Sequence, residues 1–346
     1  MAQKNKITSL LFFFLKLGIA AGAVWYLLLR NPQEIAACFS HLNICYISGA
    51  ALLYFLHMVF SAWRWRRLAG MLQVRLSPFE ALSLTLQGYF FSLVIPGGAI
   101  GGDVVKMGVI SKRSPSGEKF EGVFSILMDR IIGMIALFSM ALLLIPCTAS
   151  VLLAVKLPGT ETTPLIRQLV LAGLVLLCLS GLAASCVIFF HRTIRKVPLF
   201  DKLMQWGDKL SHGLVTRMTS ATDVYSGNRK ELFFLVVFSI FAIHLLTALP
   251  VCLLLTGLGV SGSFLTVITA LTIGNIVGLI PLFPAGVGGR DAAAILIMSA
   301  GGILSSDAQT VQLIYTAILL VVSLACGLFF IFDKGRKNPL LVQENK

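Results

Sequence analysis

Apolar residues run through this chain in long blocks that neither alternate nor keep to one helical face. Blocks at 7–29, 43–63, 122–146, 165–190, 232–256 and 308–332 each carry twenty or more residues with very few charges. At 1.5 Å per residue such a block crosses about 30 Å of hydrocarbon, so each predicts a membrane-spanning helix. The first block follows Lys4 and Lys6 as a signal peptide would, but it is too long for an h-region and contains Lys16. It therefore reads as an uncleaved first span. Two further regions, 79–110 and 263–301, hold two apolar arms around a knot of proline and glycine. The knots read Pro96-Gly97-Gly98-Ala99-Ile100-Gly101-Gly102-Asp103 and Pro284-Ala285-Gly286-Val287-Gly288-Gly289-Arg290-Asp291, with the aspartate at the same offset from the proline. Each knot predicts a broken helix, and the arm after the first, 104–110, is too short to span.

Composition agrees with the pattern. With 57% apolar and 12% charged residues, the chain has more apolar surface than a soluble fold can hide. The net charge of +13 is then read as the Lys and Arg excess of cytoplasmic loops rather than as a nucleic-acid footprint. Arg64, Arg66, Arg67 and Arg75, then Lys112 and Arg113, then the basic run between Arg192 and Lys230, and the tail Lys334, Arg336 and Lys337 belong on one side. They alternate with nearly uncharged loops only if both termini are cytoplasmic. That parity forces regions 79–110 and 263–301 to return to the face they left, as re-entrant hairpins entering from opposite sides.

The predicted fold is an all-α polytopic membrane protein with about six full spans and two oppositely oriented re-entrant hairpins in an inverted repeat. The single membrane domain divides into a first span and outer loop (1–42), repeat 1 (43–146), a connecting span and basic segment (147–231), repeat 2 (232–332) and a tail (333–346). Spans 7–29 and 165–190 lie outside the repeat and should pack peripherally. In the basic segment Leu199, Leu203, Trp206, Leu210 and Leu214 recur at helical spacing. That fits either a helix in the headgroup layer or a small helix under the bundle. Trp63-Arg64-Trp65-Arg66-Arg67 reads as an aromatic belt with snorkelling arginines.

The chemistry sits at the knots. A helix that restarts after Pro96 or Pro284 offers unpaired N–H groups and a partial positive charge, an anion site in which Asp103 and Asp291 serve as caps or as ligand contacts. Gly97 and Gly101, Gly98 and Gly102, and Gly274 and Gly278 have four-residue spacing that lets helices approach closely, and Gly286, Gly288 and Gly289 form the backbone of the second knot. Lys106 lies three residues beyond Asp103 on the same face, and Arg290 stands beside Asp291. Asp129 and Arg130 lie well inside a span and diverge by about 100°, so at least one should reach a hairpin. Asn275 is a further polar candidate for backbone or ligand. The seven cysteines and five histidines show no ligand spacing, so neither metal nor cofactor is expected. His57 and His244 read as hydrogen-bonding neighbouring helices.

Pro96-x-Gly-x-x-Gly-Gly-Asp103-x-x-Lys106, Asp129-Arg130-x-x-Gly133 and Pro284-x-Gly286-x-Gly288-Gly289-Arg290-Asp291 together resemble the flippase-like membrane region of lysylphosphatidylglycerol synthases. Lys106 stands where that family usually has arginine, and Asp291 where it has glutamate. The resemblance implies a bacterial inner-membrane protein that binds or translocates a phosphate-bearing lipid, without the soluble aminoacyl-transferase half. Anionic lipids would be its partners, alongside a partner protein or a second copy of the chain. A secondary transporter of a small soluble ion or amine could use the same architecture. A lipid-modifying transferase needs an acid and nucleophile, or a carboxylate pair, clustered at one face. That spacing is absent, so no enzymatic activity is expected, and such a transferase stands as the second alternative.

Overall fold

The computed structural model describes residues 43–95, 99–114, 119–156, 163–189, 196, 198–211, 213–279 and 288–333. Among these every regular element is helical. Five helices are long and apolar enough to cross a membrane: Ile44–Met71, Lys119–Cys147, Pro164–Phe189, Arg229–Gly257 and Ser305–Ile331. They coincide with five of the six predicted spans, and the chain is a multi-pass membrane protein. The predicted span 7–29 lies outside the described residues, as do Pro96, Gly97, Gly98, Pro284 and Gly286.

Local chemistry explains the boundaries. Helix α1 (Ile44–Met71) starts where the Asn43 side chain accepts from the Cys45 N–H at 2.9 Å. It runs eight residues past Trp63, where the sequence pattern had placed its end, because Arg64 and Trp65 are buried. It stops in a Schellman motif: the Val74 N–H reaches Ala69 O and the Gln73 N–H reaches Gly70 O, with Gln73 left-handed at φ 63°. Glycine is the usual residue there, so Gln73→Gly should stabilise the protein by about 0.5–1 kcal/mol in a denaturation experiment. Helix α2 (Pro78–Val94) begins with a Ser77/Glu80 capping box and Pro78 in its first turn. It ends because Ile95, which precedes Pro96, is extended (φ −94°, ψ 137°).

Helices α3 (Ala99–Arg113) and α4 (Lys119–Cys147) follow. Then come the short α5 (Ala149–Ala154) and the long α6 (Pro164–Phe189). Most of α6 is exposed and only Cys178 and Ser185 are buried, as expected of a peripheral span turned to lipid. Helices α7 (Pro198–Leu210) and α8 (Leu214–Gly227) divide the basic segment in two. α7 leaves Trp206 and Leu210 exposed, whereas α8 packs under the bundle through Ala221, Thr222 and Tyr225. The Tyr225 hydroxyl donates to Leu68 O at 3.1 Å, and burial raises its pKa, so it remains protonated.

The span Arg229–Gly257 comprises α9 (Arg229–Phe238), a π-helical turn at Ser239–His244 and α10 (Leu245–Gly257). Helices α11 (Phe264–Gly278), α12 (Gly289–Ala300), α13 (Ser305–Ala325) and α14 (Gly327–Asp333) complete the chain. Packing is reciprocal. Helix α2 pairs with α3 and α11 with α12, while α3 rests on α4 and α12 on α13. Across the units, α1 packs on α10, α2 on α13 and α11 on α4. Each helix pair thus leans on the closing span of the other unit. One apolar core gathers around α10–α13 and a second around α3, α4, α8 and α9, with α1 contributing to both.

Candidate functional site

Where the two helix pairs approach each other the fold leaves a cavity of about 310 Å³. Six of the seven candidate residues line it: Asp103, Lys106, Asp129, Arg130, Asn275 and Arg290. Asp291 lies just behind, as the partner of Arg290. Both knots therefore contribute to one space, although they are nearly two hundred residues apart in the chain.

The charges are sorted into pairs. Arg130 reaches the first helix pair, as predicted for one of the Asp129–Arg130 neighbours, and its Nε donates to Asp103 Oδ2 at 2.9 Å. A terminal nitrogen of the same guanidinium shares that oxygen. Asp129 points the other way and accepts from Arg64 Nε at 2.8 Å, while Arg64 Nη1 donates to Ser239 Oγ at 3.1 Å. Arg290 forks onto Asp291 Oδ1 through Nε at 2.9 Å and Nη2 at 2.7 Å, with Thr316 Oγ1 also at 2.9 Å. Gln312 Nε2 donates to the same carboxylate oxygen at 2.9 Å. Isolated charges at this depth would each cost at least about 3 kcal/mol, which is why the pairs form.

The two aspartates that looked equivalent in sequence are not. Asp103 lies in the second turn of α3, which starts at Ala99, so it does not cap that helix. The restart expected near Asp103 comes four residues earlier. Asp291 does cap: its Oδ2 accepts the Gly288 N–H at 3.0 Å in the first turn of α12. Gly288 is at φ 98°, where a side chain would be strained, so this knot residue needs glycine for its backbone.

Lys106 remains. Its side chain is buried, yet among the described residues it makes no ion pair or hydrogen bond. The ammonium sits 3.5 Å from the centroid of the Trp65 ring, and Trp65 is held by its own Nε1–H bond to Ser125 Oγ at 3.1 Å. Among the described residues four cations (Arg64, Lys106, Arg130, Arg290) thus face three carboxylates (Asp103, Asp129, Asp291) at and around the cavity. The site carries one surplus positive charge, at Lys106.

Several wall residues were not among the sequence candidates. Arg64 and Trp65 were read as an interfacial belt, but Arg64 turns inward to Asp129 and Trp65 is fully buried; the belt reading fits Trp63 and Arg67. Arg64 belongs to a stripe with Tyr54, His57 and Ser61 at spacings of three and four on α1, all lining the cavity. A polar stripe on an otherwise apolar helix was the available signal. His57 bridges helices, with Nε2 3.0 Å from the Tyr89 hydroxyl and Nδ1 3.2 Å from Ile243 O. His244 Nε2 lies 3.3 Å from Gly133 O. Ser239, Ile243 and His244 all belong to the π turn, a local widening that places His244 and the Ile243 carbonyl at the cavity and Ser239 against Arg64 behind it. Thr85 also lines it, and its buried hydroxyl has no partner among the described residues. Among those residues no group of three His, Cys, Asp or Glu side chains is placed to hold a metal.

A family model described as the lysylphosphatidylglycerol synthase TM region matches residues 13–327. No curated protein and no solved structure matches.

Proposed function

We propose, for a chain that belongs to the lysylphosphatidylglycerol synthase TM-region family, that the cavity receives the phosphate of a membrane lipid and carries it across the bilayer. The observation that carries this reading is the uncompensated Lys106 ammonium in a cavity shared by both helix pairs. An anionic headgroup would complete the charge balance that the described residues leave short by one. A lysine acts here as a point charge, while Arg64, Arg130 and Arg290 are held by carboxylates and shape the walls. At about 310 Å³ the space is at the small end of ligand pockets, suited to a headgroup with the acyl tails left in the bilayer.

In this reading α2–α3 and α11–α12 are re-entrant hairpins dipping from opposite faces, and both termini lie in the cytoplasm of a bacterium whose inner membrane houses the protein. The reciprocal packing of the two units supports an inverted repeat. Rocking of one unit against the other would open the cavity to each face in turn. The role is binding and movement, with no bond made or broken.

Reconstitution into proteoliposomes tests the proposal. Headgroup-labelled anionic phospholipid should change leaflet in the presence of the protein. Lys106→Gln should slow that movement roughly tenfold, the loss of one charge-assisted contact. Movement at the unmodified rate in a folded Lys106→Gln protein would sink the phosphate assignment. Concentrative uptake of a water-soluble anion without lipid movement would point instead to a solute transporter.

A further inference from the structure

A second cleft lies at the end of α1, where Arg66, Arg67 and Gly70 face Arg75, Asn228 and Glu231. It encloses about 650 Å³ and shares no lining residue with the central cavity. We infer that it is a separate anion site that holds a phosphate group at the membrane surface.

The cleft is built by the chain reversal after α1. The Schellman motif turns the backbone at Gln73, and the extended return buries Val74 and Leu76 while leaving Arg75 exposed. Arg66 Nε donates to Leu76 O at 2.8 Å, which fixes its guanidinium and leaves both terminal nitrogens without a partner among the described residues. Arg67 is committed to Glu231 through Nε at 2.8 Å and Nη2 at 2.6 Å. Arg75 makes no ion pair or hydrogen bond among the described residues. Among the described residues three arginines against one glutamate leave a surplus of two positive charges, both on guanidinium groups suited to bidentate phosphate contact.

Its position favours a lipid phosphate. Helix α1 has 28 residues, about 42 Å, and so exceeds the hydrocarbon by more than two turns. The ring of Trp63 packs against Phe234 and Phe238, with the Arg67 guanidinium 5.8 Å away, the arrangement of a headgroup-level belt. The cleft begins one turn beyond it. A soluble phosphate compound has the same chemistry, so the test separates the two sources. The inference does not depend on lipid movement through the central cavity.

Binding is measured by calorimetry on the full chain in neutral detergent, in a Lys106→Gln background that weakens the central site. The probes are short-chain phosphatidylglycerol and inorganic phosphate. Phosphatidylglycerol should bind, and Arg75→Gln should weaken it about fivefold, the effect of one arginine near a membrane phosphate. Arg75 has no hydrogen-bond or ion-pair partner among the described residues, so that variant should fold normally. Gly70→Leu gives an arm that leaves charge unchanged: a Cβ at Gly70 meets no atom within 4 Å, so a leucine extends into the cleft without a clash at its root. It should lower binding at least as much. Inorganic phosphate binding as tightly, with the same sensitivity to both variants, would assign the site to soluble phosphates. The site is overturned if neither probe binds, if Arg75→Gln has no effect, or if Gly70→Leu leaves binding unchanged, since diffuse surface charge alone would then suffice.

Discussion

Asp291→Asn should cost about 3–5 kcal/mol of stability, the range for removing one partner of a buried ion pair. The Arg290 side chain is only 6% exposed, and two of its nitrogens rest on Asp291. Neutralising the aspartate leaves that guanidinium buried without its counter-charge. It also weakens the cap on Gly288 and the bond from Gln312. Thermal or denaturant unfolding in detergent measures the loss. The cause is separable from lost packing: Arg290→Met combined with Asp291→Asn should recover most of it, because a buried pair replaced by apolar volume is often neutral. Arg67→Gln, which breaks the Arg67–Glu231 pair, should cost less than about 1 kcal/mol. Those side chains are 49% and 29% exposed, and water screens them. Equal losses at the two sites would contradict the burial argument.

Gly102→Ala should be the most damaging small substitution in the first helix pair. A methyl group there would be driven into the Gly88 carbonyl oxygen and the Ser92 hydroxyl of α2. Backbone cannot rotate aside, so α2 and α3 must separate, at a cost of about 1–3 kcal/mol. Separation would also shift Tyr89 and Ser92 relative to Asp103 in the cavity wall, so lipid movement should fall even in protein that still folds. Gly108→Ala on the same helix is the control. A Cβ there meets nothing within 4 Å, and alanine favours helix over glycine by about 1 kcal/mol, so this variant should be stabilised. Gly274 is the counterpart in the second pair, where a Cβ would lie 2.8 Å from Arg290 O.

Much of the architecture was legible before the structure. The five described spans follow from length and apolarity, because a backbone in lipid must satisfy its own hydrogen bonds along a continuous helix. Both helix pairs were legible from their knots. Pro96 disfavours helical backbone at Ile95, and Gly288 supplies a positive-φ turn that few other residues would adopt. The candidate charges were legible too, since Asp103, Lys106, Asp129, Arg130 and Arg290 are conspicuous in apolar sequence and all line the cavity. Arg64 was hidden by its setting. Two tryptophans and two further arginines at a helix end look like an interface, and only the inward face shared with Tyr54, His57 and Ser61 distinguishes it.

The sequence by itself determined what must be buried and where the chain must break, because hydropathy and backbone sterics act locally. It could not determine which charge meets which. Arg64 and Asp129 are 65 residues apart, and Arg130 meets Asp103 while its neighbour Asp129 meets Arg64 because α4 turns successive side chains about 100° apart. Two aspartates in matching motifs took different tasks, one pairing across helices and the other capping its own, because α3 starts four residues ahead of Asp103 and α12 only two ahead of Asp291. The unbalanced lysine is likewise a property of the assembled cavity. Whether a charge is surplus depends on every other charge within reach, and only the tertiary structure sets that distance.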